Sequence, residues 1–311
     1  MKPVEEAFAS DAFRRVILPG IVVWLGVHPL IATLAVRMES LYGVGSTLLL
    51  IAEVIFFGLV ISSPVQPIYY VYEGFAFQLL TAIAGWANKR RVRALNETLT
   101  EFELQTQIPG SLSPFDRSRC GKTYERLLDF PIRLRDDGMG EHYCERPTRL
   151  GNIIATYELY PKTRYGIDGV FYWFHLLHLA PENSQREFAG QYAFAESLVL
   201  ASFSGALVAI LHLFILIGFG IGKLFPNFIV VVLHTGPKTS ASLMVFGVAI
   251  WAVFYAAALP AHREAGKQFQ SIVDAVMPCF VDWISKARAP LDDTTIRESK
   301  KVWKYLGRTF E

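Results

Sequence analysis

The sequence predicts a mainly α-helical, oligomeric protein with four transmembrane helices and a helical cytoplasmic domain built from a central insertion and the C-terminal tail. The first observation is composition: the chain is 52% hydrophobic with a mean hydropathy of +0.31, and only 19% of its residues are charged. The second is segregation, because residues 86–193 hold 15 Lys/Arg and 14 Asp/Glu while long stretches on both sides are nearly uncharged. Soluble domains carry about 25% charged residues, mixed along the chain. Together these features are typical of a multi-pass membrane protein with a sizeable aqueous part.

Four apolar runs are long enough to cross a bilayer. Residues 16–36 carry no formal charge and, at about 1.5 Å per helical residue, span the roughly 30 Å hydrocarbon core. Residues 46–62 form a second run, a third lies within 195–222, and 241–260 form the fourth. Between the last two, residues 223–240 have an apolar core too short to span, so they are either a re-entrant segment or a continuation of the third helix.

The placement of basic residues predicts the orientation of these spans. Ten Lys/Arg flank the spans on the side of the central region, and three flank them on the other side. Because cytoplasmic flanks are enriched in Lys and Arg, we expect both termini and the central region in the cytoplasm of a bacterial inner membrane. The predicted units are a transmembrane hairpin at 1–85 with an interfacial or kinked extension beyond 62, a cytoplasmic domain at 86–193, a second hairpin at 194–260, and C-terminal helices at 261–311.

Several kinds of chemistry are not indicated. Cys120, Cys144 and Cys279 have no repeated spacing, which is typical of reduced thiols rather than of a disulfide framework. The Gly-Lys-Thr at 121–123 imitates the end of a P-loop, but Asp116 occupies the position of the required glycine. His175 and His178 are three residues apart and could share a metal on one helical face, but no carboxylate or thiolate at ligand spacing joins them. No nucleophile elbow, zinc-protease helix motif or dinucleotide fingerprint is present. We therefore predict a non-enzymatic protein without a metal or cofactor.

Ionisable residues inside the predicted spans are the candidate pore or gating groups. Glu53 lies near the middle of the second span, where an isolated carboxylate costs several kcal/mol unless it faces water or a partner. Two interpretations are open, a pore-lining group and a hydrogen-bonded residue at a helix–helix contact. His212 in the third span and His28 in the first are weaker candidates of the same kind.

Small residues in the third span predict close helix packing. Gly218, Gly220 and Gly222, together with Ser202 and Ser204, allow helices to approach each other closely. Four spans enclose no aqueous path by themselves, so a pore would require several copies of the chain. We expect a homo-oligomer in the lipid bilayer, with a tetramer favoured.

A basic and aromatic stretch precedes the second hairpin and is the candidate ligand site. It contains three cations and three tyrosines, namely Arg149, Lys162, Arg164, Tyr157, Tyr160 and Tyr165. Cations can hold phosphates while flat rings stack on the bases of a single-stranded oligonucleotide. The alternative is that the tyrosines belong to a core and the cations pair with Glu158 and Asp168. Residue types alone favour this second interpretation.

The same stretch resembles a segment of a widespread set of uncharacterised bacterial multi-pass membrane proteins. The shared form is Gly-Asn, an acidic and aromatic stretch, Arg-Tyr-Gly-x-Asp, and a Trp-containing apolar helix that ends in Leu-Pro. The matching positions are Gly151, Asn152, Glu158, Tyr160, Arg164, Tyr165, Gly166, Asp168, Trp173 and Pro181. The usual Trp-Pro-Arg is replaced here by Trp173-Phe174-His175. Glu298 and Trp303 in the tail also look like the ending of that set.

The architecture is also similar to that of the membrane effector of Hailong-type anti-phage defence systems. This resemblance implies a tetrameric ion channel whose cytoplasmic domain is held shut by single-stranded DNA oligomers, made by a partner nucleotidyltransferase. It gives the basic and aromatic stretch a reason to bind a ligand. The alternatives are a non-conducting scaffold or receptor with a cytoplasmic interaction domain, and a membrane enzyme that acts on lipid or peptidoglycan precursors.

Overall fold

The structure is a computed structural model of the chain, and it describes residues 11–42, 46–76, 78–106, 113–134, 140–224 and 236–287. These residues are mainly helical. The helices are, in chain order, α1 (Asp11–Tyr42), α2 (Ser46–Ser62), α3 (Val65–Glu73), α4 (Gln78–Thr106), α5 (Pro114–Leu127), α6 (Arg149–Tyr165), α7 (Trp173–Leu179), α8 (Glu182–Leu224) and α9 (Pro237–Ala287). Two short strands, β1 (Ile132–Leu134) and β2 (Gly140–His142), lie between α5 and α6.

Two of the described helices are long and apolar enough to cross a membrane, one within α8 and one within α9. A third is obtained if α2 and α3, which are bent by 59° at their junction, are counted as one span. The kink predicted after residue 62 is therefore present. The first predicted span lies in α1, whose side chains are described for residues 14–30.

The first hairpin is held together by glycines at the crossing of α1 and α2. A Cβ on Gly20 would lie 2.1 Å from the Val54 carbonyl oxygen, and one on Gly58 would lie 2.0 Å from the Val16 carbonyl oxygen. Neither distance leaves room for a side chain, so the two backbones pack in direct contact. Small residues are used in this way where apolar helices associate in lipid.

The second hairpin uses the same device between α8 and α9. A Cβ on Gly205 would lie 2.6 Å from the Trp251 backbone nitrogen, and one on Gly247 would lie 2.6 Å from the Ala209 backbone nitrogen. The pair is also tied by Ser202, whose hydroxyl donates to the Trp251 carbonyl at 3.0 Å. Because α8 and α9 continue beyond the predicted spans, both helices extend from the apolar region into the polar part of the chain.

Helix α3 packs its tyrosines against this second hairpin. The Tyr69 hydroxyl lies 3.1 Å from Nε2 of His262, and the Tyr72 hydroxyl lies 2.8 Å from the hydroxyl of Ser202. Both tyrosines are buried. The extension predicted after the second span is thus a short helix, and its two buried tyrosine hydroxyls have hydrogen-bond partners inside the protein.

Two structural units form the polar part. In the smaller unit, Val92 of α4 packs on Leu127 and Phe130, with Leu95 and Leu99 at its edge. The sequence places Leu95, Leu99 and Phe102 at helical spacing, and the structure packs Leu95 and Leu99 against this unit and buries Phe102. In the larger unit, α6 and α7 pack on the extended part of α9, where the rings of Trp173 and Phe269 stack with centroids 4.6 Å apart.

Two sequence-based expectations are corrected. The sequence predicts two helices over this stretch, broken at Pro161 and Gly166. The break at Gly166, which has φ +70°, is present, but α6 continues through Pro161 to Tyr165. The proline ring is accommodated because it packs on Gly169, where a Cβ would lie 2.3 Å from its Cγ. The polar part is also not wholly helical, since β1 and β2 pair antiparallel with Ile132 opposite His142. The expected turn at 137–138, the segment 225–235 and the final helix after 292 lie outside the described residues.

Candidate functional site

The C-terminal end of α6 is fixed to α9 by one carboxylate. The Tyr160 hydroxyl lies 2.7 Å and 2.8 Å from the two carboxylate oxygens of Asp274, and the Tyr165 hydroxyl donates to Oδ1 at 2.7 Å. Arg164 Nε lies 4.0 Å from the same oxygen. We call these four residues the Asp274 corner. Three of the six residues of the predicted ligand site meet in it.

Local sequence explains why this corner forms. Gly166 takes the left-handed conformation that ends α6, and its backbone N–H bonds to the Lys162 carbonyl. Asp168 then accepts hydrogen bonds from the backbone N–H groups of Val170 and Phe171 at 3.1 Å and 3.0 Å. A left-handed glycine and a side-chain cap are typical of a tight helix end followed by a turn. The Arg-Tyr-Gly-x-Asp motif therefore builds the turn that brings the chain back towards α9.

Tyr160 and Arg164 differ in how firmly the corner holds them. Burial, followed by the hydrogen bond to the Asp274 carboxylate, raises the pKa of Tyr160 to about 12. The Arg164 side chain is 61% exposed, and its guanidinium lies 5.8 Å from the centre of the Tyr165 ring. At 4.0 Å its contact with Asp274 is loose. This arginine can therefore be drawn to another anion without breaking a buried bond.

Two residues of the predicted ligand site lie apart from the Asp274 corner, and the prediction of a single site is corrected for both. Tyr157 is buried, with its ring 5.6 Å from that of Phe269, so it offers no free face for stacking. Arg149 donates its Nε to Asp129 Oδ2 at 2.7 Å, at the opposite end of α6 from the corner. The remaining predicted cation, Lys162, is exposed near the corner.

The Gly-Asn pair at the start of α6 is structural. The Asn152 side chain is fully buried and accepts from the backbone N–H groups of Glu145 and Arg146 at 2.9 Å and 3.0 Å. Its amide donates to the carbonyls of Arg146 and Thr148 at 2.6 Å and 2.7 Å. A Cβ on Gly151 would lie 2.9 Å from the Glu73 carbonyl oxygen. The pair therefore holds the preceding loop against the end of α3.

Glu158, another position of the shared segment, contributes to the same contacts between the end of α3 and α6. Its carboxylate accepts a hydrogen bond from Arg146, whose other terminal nitrogen lies 2.9 Å from Glu73. The prediction that Glu158 pairs with the cations of the candidate ligand site is therefore replaced by a pair with Arg146. Arg146 thereby ties α3 to α6.

The predicted pore residues Glu53 and His28 lie together. Glu53 Oε2 accepts a hydrogen bond from Trp24 Nε1 at 2.7 Å and lies 3.2 Å from His28 Nδ1. Sequence reasoning missed Trp24, although its spacing of four residues from His28 places both on one face of α1. The side chains of Glu53 and His28 remain 19% and 36% exposed. These polar side chains therefore contact one another but remain partly exposed on the surface of the chain.

His212 has a different environment. Its side chain is fully buried, and its Nε2 lies 2.9 Å from the carbonyl oxygen of Gly26. This geometry ties α8 to α1 inside a single chain. A pore-lining position is therefore replaced by a packing contact, which a polar residue makes where two apolar helices meet.

The corner brings two phenols and one guanidinium to a single carboxylate of α9. Asp274 was not identified from the sequence, because its partners lie 109 and 114 residues away along the chain. Comparison of the chain with known protein families, curated proteins and solved structures gives no match. The geometry of the described residues is therefore the basis for the functional proposal.

Proposed function

We propose that the chain forms an oligomeric ion channel of the bacterial inner membrane, with four spans and cytoplasmic termini. In this proposal a ligand bound at the Asp274 corner controls conduction. The ligand is a single-stranded oligonucleotide, and the biological role is that of an anti-phage defence effector. The non-conducting scaffold or receptor remains the competing function.

The continuity of α9 carries this proposal. A single helix from Pro237 to Ala287 contains both an apolar segment long enough to cross a membrane and the carboxylate of Asp274. Residues 260 and 274 are separated by about 21 Å at 1.5 Å per residue. A change at the corner therefore acts on the same helix that extends into the membrane. Such direct connection supports coupling between a cytoplasmic ligand and the spans.

The charge arrangement at the corner supports an anionic ligand. Lys162 and Arg164 are exposed, whereas Asp274 already has two phenolic donors. A phosphate that draws Arg164 away would leave the tyrosine bonds as the remaining polar link between α6 and Asp274. The rings of Tyr160 and Tyr165 are partly exposed and lie close enough to provide surfaces for bases.

The partly exposed polar group in the first hairpin supports oligomerisation. Glu53 and His28 lie in predicted spans, where polar groups that face lipid are costly. A neighbouring subunit or a water-filled path would cover them. Either arrangement requires more than one copy of the chain, since four spans cannot enclose a pore.

Planar-bilayer recording of the purified protein separates a channel from a scaffold. The proposal predicts discrete conductance steps, an oligomer in detergent, and absorbance at 260 nm from copurified oligonucleotide. Reporter fusions at residues 40 and 235 should report the periplasm, and fusions at 120 and 290 the cytoplasm. A silent bilayer with correctly inserted oligomer would favour the scaffold.

A further inference from the structure

A cluster of arginines surrounds one buried carboxylate where four segments of the chain meet. Asp129 follows the end of α5 and is 1% exposed. Oδ2 accepts from Arg149 Nε at 2.7 Å and from Arg263 Nη2 at 2.8 Å, and Oδ1 accepts from Arg263 Nε. We call these three residues and the nearby Arg91 and Arg126 the Asp129 cluster.

The cluster has more positive charge than its carboxylates neutralise. The pKa of Arg91 is lowered by burial and by the charges of Arg149, Arg126 and Arg263, which places Arg91 within electrostatic reach of the other three guanidinium groups. Glu125 is a second carboxylate close enough to act on the charge of Arg263. Four arginines thus face two carboxylates, which leaves two positive charges for an external anion.

Donor groups remain available for that anion. Among the described residues, Arg149 gives only its Nε to Asp129, and neither Arg91 nor Arg126 has a carboxylate within ion-pair distance. Both Arg91 and Arg126 are exposed. Asp129 fixes two guanidinium groups while the other two remain free to close on a ligand. Guanidinium groups bind phosphate oxygens in a two-pronged geometry.

The position of the cluster indicates where the anion comes from. Arg263 follows the predicted end of the fourth span by three residues, which is about 4.5 Å along a helix. Arg149 begins α6 next to Leu150, which belongs to the buried core against which Tyr255 of that predicted span packs. On α4, which also carries Arg91, the Arg90 guanidinium lies 5.7 Å from the ring centre of the exposed Trp86. Such a rim of aromatic and basic residues is typical of the membrane surface.

We infer that the Asp129 cluster binds the phosphate of an anionic phospholipid in the cytoplasmic leaflet. The inference rests on the membrane topology of the proposed function, but not on conduction or on the oligonucleotide. A bound headgroup would join α4, α5, α6 and α9 at the membrane surface. It would thereby hold the polar part in a fixed position relative to the spans. Basic pockets beside cytoplasmic span ends bind lipid headgroups in this way.

The test compares lipid binding by variants that keep Asp129 and its two bound arginines intact. Purified full-length protein in neutral detergent is titrated with phosphatidylglycerol, and lipid adducts are counted by native mass spectrometry. Arg91→Gln and Arg126→Gln should each weaken apparent binding roughly fivefold, because a basic residue at the membrane surface contributes about 1 kcal/mol. Arg93→Gln is the matched control, since it removes the same charge from the same helix on the side facing Glu97 and Glu101.

Three further titrations identify the source of the phosphate. Phosphatidylcholine should bind weakly, and with the same affinity to the wild type and to all variants. Inorganic phosphate at millimolar concentration should not displace phosphatidylglycerol. The inference is overturned if a variant that combines Arg91→Gln with Arg126→Gln binds phosphatidylglycerol as the wild type does, or if Arg93→Gln loses as much affinity. It is also overturned if an oligonucleotide displaces the lipid, because the cluster would then belong to the gating ligand. None of these outcomes depends on a bilayer current.

Discussion

The Tyr160 hydroxyl lies within hydrogen-bonding distance of both carboxylate oxygens of Asp274, 114 residues further along the chain. This relationship joins the end of α6 to the long helix α9. It lies at a point where the Tyr165 hydroxyl adds a second donor and Arg164 a loosely held charge. These contacts connect the candidate ligand site on α6 to the helix that contains the fourth predicted span.

Removal of the hydrogen bond between Tyr160 and Asp274 should measurably lower the free energy of unfolding. Because a hydrogen bond to a charged group contributes about 1.5–3 kcal/mol and this one is partly exposed, Tyr160→Phe should cost about 1 kcal/mol. A double-mutant cycle with Asp274→Ala, measured by thermal unfolding in detergent, should give a coupling of similar size. Tyr124→Phe on the exposed face of α5 is the control and should have little effect. Additive effects of the two mutations would show that the bond contributes nothing.

The raised pKa of Tyr160 predicts a dependence of stability on alkaline pH. The phenol keeps its proton up to about pH 12 in the folded protein, whereas an unfolded tyrosine loses it near pH 10. The contribution is thus fully present below pH 10 and is lost as the pH rises towards 12. Melting temperature should fall over this range, and it should fall less steeply in Tyr160→Phe. Equal slopes for the two proteins would rule out this titration.

The helices and part of their packing follow from the sequence. Hydropathy and the 3.6-residue period predict the apolar runs and the buried face of α4. The burial of Tyr157 was also readable, because Leu150, Ile153, Ile154, Tyr157 and Pro161 share one face of α6 at helical spacing. Its neighbour Tyr160 lies at the edge of that face and is only partly buried. Residue type alone does not separate these two tyrosines, but helical position does.

The rest of the site depends on long-range contacts that no local pattern encodes. Asp274 lies in an amphipathic helix with other exposed acids, so its two tyrosine partners are visible only in the folded chain. Asp129 likewise acquires its arginines from α6 and α9. The short strands escaped prediction because each has only three residues, too few for a period of two to be recognised.

Glu53 should separate a conducting role from a packing role. Glu53→Gln keeps an acceptor for the Trp24 N–H but removes the charge, so the proposal predicts altered conductance or selectivity with normal assembly. Glu53→Leu also leaves the Trp24 donor unsatisfied and should cost about 1–3 kcal/mol of stability. Bilayer recording and size-exclusion chromatography measure the two effects. Unchanged current in Glu53→Gln would assign this residue to helix packing.

Arg164 should control the binding of an oligonucleotide. Each phosphate contact on a single strand contributes about 0.7 to the slope of log affinity against log salt concentration. Arg164→Ala should therefore weaken binding of a fluorescent oligonucleotide and lower that slope by about 0.7. Arg186→Ala on α8 is the control, since that side chain is similarly exposed but pairs with Glu182. Identical slopes in wild type and Arg164→Ala would exclude a phosphate contact here.

The most direct measurement of the central claim is bilayer current at increasing oligonucleotide concentration for wild type and Arg164→Ala. The account predicts that the oligonucleotide closes wild-type channels and that Arg164→Ala channels conduct at concentrations that silence the wild type. The variant should show the same melting temperature and oligomeric state, so that altered gating is not a consequence of unfolding. A wild-type current that is indifferent to the oligonucleotide, or two proteins with the same dose response, would contradict control of the spans by the Asp274 corner.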